Sequence, residues 1–166
     1  MDMLPLIQKR RSVREYLKKS IPRKDLEKIV DAARFAPTAR NLQPWEFVMV
    51  TRADVLKQIA DITDHGKFIA VAPACLAVFG DNGKYYLEDC CAAIENAMLE
   101  AASLKIGSCW VAGDKKPYAA ALNVLLGVPD KFKLVGLIAL GYPLASKALR
   151  IIVKRKLEDV LHWERF

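Results

Sequence analysis

The sequence lacks most of what enzymes use for acid–base or metal chemistry. Among 166 residues there are two histidines, His65 and His162, and neither sits in a metal-binding repeat such as His-Glu-x-x-His. The four cysteines, Cys75, Cys90, Cys91 and Cys109, form no Cys-x-x-Cys, so a zinc or thiol-exchange site has no support. Cys90 and Cys91 are adjacent, about 100° apart on a helix, which suits packing in a reducing compartment better than a disulfide. No Gly-x-Ser-x-Gly offers a hydrolase nucleophile, and no Gly-x-Gly-x-x-Gly offers a dinucleotide-binding turn. Gly80-Asp81-Asn82-Gly83-Lys84 has the wrong spacing for a phosphate loop and lacks the following Ser or Thr, so it reads as a turn. Long hydrophobic runs are missing too. The longest, Ile69 to Phe79, contains Pro73 and is too short to cross a bilayer as a helix. The first ten residues place Lys9 and Arg10 behind their apolar residues, unlike a secretory signal. A cytoplasmic protein without a membrane partner is expected. There is no linker-like stretch and no repeat, so residues 1–166 are expected to form one domain.

Acidic residues are also short in number: 19 Asp and Glu face 26 Lys and Arg, giving a formal charge of +7. With 53% hydrophobic residues the chain has ample material for a core, which excludes intrinsic disorder. The excess is not uniform. Residues 1–34 carry ten basic and five acidic side chains and residues 145–166 carry six and three, whereas residues 35–144 carry ten and eleven. If the two ends meet in space, they form one anion site. Total charge alone leaves nucleic acid, an acidic surface and a small anion open as partners.

The apolar pattern predicts alternating helices and strands. Ser20-Ile21-Pro22 opens a helix whose stripe is Leu26, Ile29, Val30 and Ala33 and which ends near Phe35-Ala36-Pro37. Trp45–Val50 reads as a strand, and Thr51-Arg52-Ala53-Asp54 as a capping box opening a helix through Ile62. Cys75 to Phe79 reads as a strand buried on both faces. A long helix from about Tyr85 to Lys105 repeats Leu87, Cys91, Ile94, Met98, Ala101 and Leu104 at helical spacing and is rich in alanine. By pattern alone it is a core helix, or one packed against a second subunit. A short strand at Ser108–Val111, a helix from about Pro117 to Leu126 and a buried strand Leu134–Leu140 complete an α/β or α+β domain.

With no glycine-rich cradle, any phosphate has to be held by side chains. In Lys9-Arg10-Arg11-Ser12-Val13-Arg14 the residues Arg10, Ser12 and Arg14 alternate, so an extended backbone projects all three to one side. Guanidinium groups bind phosphate oxygens bidentately, and a serine hydroxyl adds a neutral donor. The same hexamer also suits a solvated face or a nucleic-acid patch.

Four ordered blocks resemble the FMN-dependent nitroreductase family. They are Arg10-Arg11-Ser12-Val13-Arg14-Glu15-Tyr16; Ala36-Pro37-Thr38-Ala39-Arg40-Asn41-Leu42-Gln43-Pro44-Trp45; Asp89-Cys90-Cys91-Ala92-Ala93-Ile94-Glu95-Asn96 leading to Gly107-Ser108-Cys109-Trp110; and Gly141-Tyr142-Pro143 with the closing Arg155–Trp163 segment. The second block is the most specific. The resemblance implies an α+β nitroreductase-like fold, a central mixed, mostly antiparallel sheet flanked by helices, in a domain-swapped type of homodimer with FMN at the interface. It implies that Arg10, Arg11, Ser12 and Arg14, with Lys154 and Arg155, hold the FMN phosphate and ribityl chain. Pro37, Thr38, Ala39, Asn41 and Gln43 would reach the flavin from the other subunit, and the helix 85–105 would be the dimer core. Lys67 would lie at the pyrimidine edge of the flavin, and a backbone N–H at Ala112 or Gly113 would point at N5.

The activity implied is hydride transfer from NADH or NADPH to FMN and then, in ping-pong order, to a small-molecule acceptor such as a nitroaromatic or quinone. No side chain is expected to act as catalytic acid or base, and no metal or nucleic acid is expected. Two other readings remain: a flavin-binding protein without reductase activity, and a basic nucleic-acid-binding domain. The chain departs from the family in being short, with little room for a helical insertion over the flavin, and in having Thr38 where serine is common.

Overall fold

The computed structural model describes residues 2–144 and 153–166. Five α-helices and four strands alternate in it: α1 Leu4–Lys9, α2 Arg23–Arg34, β1 Trp45–Val50, α3 Ala53–Ile62, β2 Ala74–Asp81, α4 Tyr86–Ser103, β3 Gly107–Ala112, α5 Ala119–Leu126 and β4 Phe132–Gly141. The strands lie in the order β1-β2-β4-β3, and all three pairings are antiparallel. The expected mixed character is confined to one isolated parallel bridge, Ser12 with Ser108.

The sheet is buried because its two central strands are apolar on both faces. Along β2, Ala74, Leu76 and Val78 pack with α2 and α4, while Cys75, Ala77 and Phe79 pack in the second core with α3 and α5, as the two-residue period of a strand requires. In β4 that alternation breaks at Val135. The register jumps from Val78–Gly136 to Phe79–Leu134, so Val135 is a bulge residue. It explains why Leu134 and Leu137 share one core while Val135 and Ile138 share the other.

Helix α4 crosses the sheet with Ala93, Ala97 and Ala101 fully buried, and these small side chains let it approach α2 and the strands closely. Asn96 Nδ2 donates to the Ala32 carbonyl of α2 at 3.2 Å. The Thr51–Asp54 capping box does not form. The N-cap of α3 is Arg52, without a side-chain cap, because Asp54 is taken by the Arg52 guanidinium at 2.5 Å. Helix α1 has no buried residue; its Leu4 and Ile7, one helical turn apart, stay exposed.

After α1 the chain runs extended against the late strands. Val13 N–H donates to the Ser108 carbonyl at 2.9 Å, Leu17 N–H to Tyr142 at 2.9 Å, and Leu144 N–H returns to Glu15 at 3.1 Å. Tyr16, buried, donates its hydroxyl to the Val13 carbonyl, and burial pushes its phenol well above the ordinary range. Gly107 is required here: a Cβ would stand 2.8 Å from Val13 Cγ2 and 2.9 Å from its Cβ.

Candidate functional site

Docking of residues 12–16 on β3 turns Val13 into the core and leaves Ser12 and Arg14 exposed beside it. These two and Arg10 surround the buried Cys109 thiol of β3. Burial pushes that thiol up, and Arg14, a hydrogen bond from Ser12 and Arg10 pull it partly back. Arg14 also places its guanidinium over the Phe68 ring, 5.7 Å from the centroid. The structure therefore brings Arg10, Ser12 and Arg14 together at one sheet edge.

Arg10 is the informative member. Its Nε stands 3.5 Å from Glu95 Oε1 of α4, too far and too badly aligned for a hydrogen bond, and this buried nitrogen has no hydrogen-bond partner. Most buried polar atoms are satisfied, so a half-satisfied guanidinium beside a serine and a second arginine fits an anionic ligand. Arg11 does not join them. Its Nη1 donates to the carbonyls of Gln8 and Arg10, which closes the end of α1.

The loop 37–43 is built on strain and on α4. Arg40, Asn41 and Gln43 all have left-handed φ, at 55°, 56° and 48°, a region in which only Asn among the three is at ease. Two contacts hold the loop in this shape: Asp89 Oδ1 of α4 accepts the Ala39 N–H at 3.3 Å, and Thr38 Oγ1 accepts the Gln43 N–H at 3.2 Å. Gln43 Nε2 adds a bond to the Asn41 carbonyl at 3.4 Å. Pro37, Asn41 and Gln43 are exposed, and Thr38 and Ala39 are half-buried. The loop is thus anchored at Asp89 and the arginine cluster at Glu95, about 9 Å apart along α4 and roughly 120° apart around it. One chain presents them as two separate clusters.

At the end of β3, Gly113 N–H donates to the Val135 carbonyl at 3.1 Å, so it is used inside the sheet. Antiparallel ladders alternate. Ser108 and Ala112 therefore face off the edge, as shown by their carbonyls, which accept from Val13 N–H and from the Tyr118 hydroxyl respectively. Of the two expected donors, Ala112 is the one whose N–H points outward.

Lys67 is engaged within its own chain. Its Nζ donates to the Ala60 and Asp61 carbonyls at 3.0 and 3.1 Å, closing the C-terminus of α3. Lys154 and Arg155 belong to a C-terminal arm, residues 153–166, in which every residue is exposed. Arg155 donates to the Asp159 carbonyl within that arm. The structure does not bring these two beside Arg10.

Sequence reasoning overlooked Asp89 as the loop anchor, although a carboxylate in the first turn of α4 is a visible signal. It also overlooked a cavity of about 190 Å³ against β3, whose polar lining includes Arg14, His65, Lys116 and Tyr118. Among the described residues no group of three or more His, Cys, Asp or Glu is placed to hold a metal ion, and no helix is long and apolar enough to cross a membrane.

An α+β domain with this four-stranded antiparallel sheet defines a fold class that solved structures share. An FMN-dependent nitroreductase from Clostridium difficile superposes with a TM-score of 0.88 at 26% identity, over 98% of this chain and 99% of that one. A nitroreductase with bound FMN from Bacteroides fragilis superposes at 0.83 and 30% identity, over 99% and 100%. By sequence, an Archaeoglobus fulgidus protein provisionally named NADH dehydrogenase/NAD(P)H nitroreductase is 35% identical over 99% of both chains. The Nitroreductase family model matches residues 7–79 and 72–142. The chain belongs to the Nitroreductase family, a family of oxidoreductases.

Proposed function

We propose that this protein is an FMN-dependent oxidoreductase that uses NADH or NADPH to reduce nitroaromatics, quinones or similarly electron-poor acceptors. The observation that carries the reading is the buried Arg10 Nε, without a hydrogen-bond partner, beside Ser12 and Arg14, in a chain of this family. Arg10, Ser12 and Arg14 would hold the phosphate and ribityl chain, and the outward Ala112 N–H would donate to the ring. When bound, FMN supplies hydride acceptance from the nicotinamide and delivery to the acceptor, chemistry that needs no acid–base pair from the protein. Donor and acceptor would use one opening in turn, which is ping-pong order.

The two separate clusters would each be half of a shared site in a homodimer. A second copy would set its loop 37–43 against the arginine cluster of the first. The arm exposes Val153, Leu157, Val160, Leu161, Trp163 and Phe166, an apolar surface too large to leave in water. A groove of about 900 Å³ between α2 and β1, floored by Ile21, Leu26, Val30, Phe47, Met49 and Pro73, would receive the arm of the second copy. Lys154 and Arg155 would then reach a phosphate across the interface.

The purified protein is expected to be yellow, to release FMN on denaturation, and to elute as a dimer. Anaerobic NADH or NADPH should bleach the flavin, and a nitro or quinone acceptor should restore the colour. A flavin that stays oxidised under both donors refutes the reductase and leaves a flavin-binding protein.

A further inference from the structure

The cavity of about 190 Å³ against β3 joins two cations, Arg14 and Lys116, and the imidazole of His65 to the aromatic surfaces of Phe68, Trp110 and Tyr118. It also reaches Ala112, whose N–H points off the sheet edge. Flat aromatic walls with cationic side chains between them suit a planar ring that carries or gains negative charge. Lys116 is paired with a carboxylate: Asp64 Oδ2 stands 3.7 Å from Lys116 Nζ. That distance exceeds a hydrogen bond, so the pair leaves the donors of the ammonium available to a ligand. Lys67 differs on each count. It is not part of the cavity wall, and its ammonium is spent on two helix-end carbonyls.

Resting on the FMN reading above, we propose that Lys116, with Arg14 beside it, supplies the positive charge at the flavin ring, and that Lys67 serves the C-terminus of α3 instead. Acceptance of a hydride, two electrons and one proton, adds one negative charge to the ring system. A cation a few ångströms away favours that state over the oxidised one, and Asp64 sets how much of this charge is felt. Lys116 thus raises the affinity for reduced FMN above that for oxidised FMN.

The test is the midpoint potential of the bound flavin, by anaerobic dye-coupled reduction, in the wild-type protein and in Lys116→Met, Asp64→Asn and Lys67→Met, each first shown to bind FMN by fluorescence titration. Lys116→Met should lower the reduced-to-oxidised affinity ratio about tenfold, which is about 30 mV for a two-electron couple. Asp64→Asn should move the potential the opposite way. An unchanged potential in Lys116→Met overturns the proposal, and so does a larger drop in Lys67→Met than in Lys116→Met. If the wild-type protein binds no FMN, the reading under Proposed function fails first and is recognised by that result alone. Asp64→Asn also separates charge from folding, since it keeps the side-chain shape while removing the opposing charge.

Discussion

The contact between Gly107 and Val13 couples packing to the site, and Gly107→Ala tests it. The new Cβ would lie 2.8, 2.9 and 3.0 Å from Val13 Cγ2, Cβ and Cγ1, where carbon atoms rest at about 3.5–4.0 Å. Val13 has little room to yield. Its β-branched side chain is stiff, and its amide is tied to the Ser108 carbonyl at 2.9 Å. The overpacking should cost about 1–3 kcal/mol, offset by a few tenths from the lost freedom of the unfolded glycine. For a chain of this size, about 2 kcal/mol lowers Tm by about 4–8 °C.

The strain has a direction, because Val13 sits between Ser12 and Arg14. Pushing it off β3 moves both, so FMN or phosphate binding should weaken by about tenfold or more, the effect of about 1.4 kcal/mol. Val13→Ala alone removes two methyl groups, worth about 1.6 kcal/mol of transfer. In the double variant the added methyl of residue 107 fills the space those groups vacate. The two losses should then fall short of their sum by at least about 0.5 kcal/mol. Denaturation curves and fluorescence titrations on the four proteins of this cycle measure both. Strict additivity, or a Gly107→Ala protein with native Tm and native affinity, refutes the reasoning.

Two further outcomes follow from the same structure. Asp89→Ala removes the acceptor of the Ala39 N–H and should cost about 1–2 kcal/mol, with faster hydrogen exchange at Ala39 and weaker FMN binding; unchanged exchange at that amide would remove Asp89 from the loop's support. Tyr86 donates to Asp114 Oδ1 at 2.7 Å, and that bond, with burial, pushes its phenol up to about 12. The unfolded phenol ionises near 10, so this stability is complete below pH 10 and is lost as pH rises toward 12. At this half-exposed position it amounts to about 1 kcal/mol, less than a sealed interior would give. Tyr86→Phe should flatten the alkaline fall in stability over that window, while the thiols of Cys75 and Cys90, raised to about 12 by burial, maintain the rest of it. An identical alkaline profile in Tyr86→Phe contradicts the assignment.

The elements that were legible in the sequence are those whose burial is written in local pattern. Strands β2 and β4 are continuous apolar runs, and α2 and α4 carry stripes, so their places emerge within a few residues of the observed ones. Helix α1 was not legible because it buries nothing. The Thr51–Asp54 box failed because a capping pattern competes with ion pairing, and Arg52 offered Asp54 a charged partner.

The site divides along the same line. Arg10, Ser12 and Arg14 share one side because strand alternation is a local rule. Arg11 sits among them in sequence yet leaves the group, since its guanidinium finds two carbonyls at the end of α1. Lys67 and Lys116 illustrate the limit. Which lysine faces the cavity depends on how α3 ends and how β3 leads into α5, and no spacing in the chain encodes that.

The bridge from Ser12 to Ser108 also orders events in time. The arginines are made among the first residues, but the strand they lean on, and the Tyr142 and Leu144 contacts that complete their mooring, come from the last third of the chain. Ribosomal synthesis at about 5–20 residues per second leaves them waiting on the order of ten seconds for that support. A nascent chain released before β3 therefore lacks the strand that groups Arg10, Ser12 and Arg14, and cofactor loading through them, as proposed, would belong to the finished polypeptide.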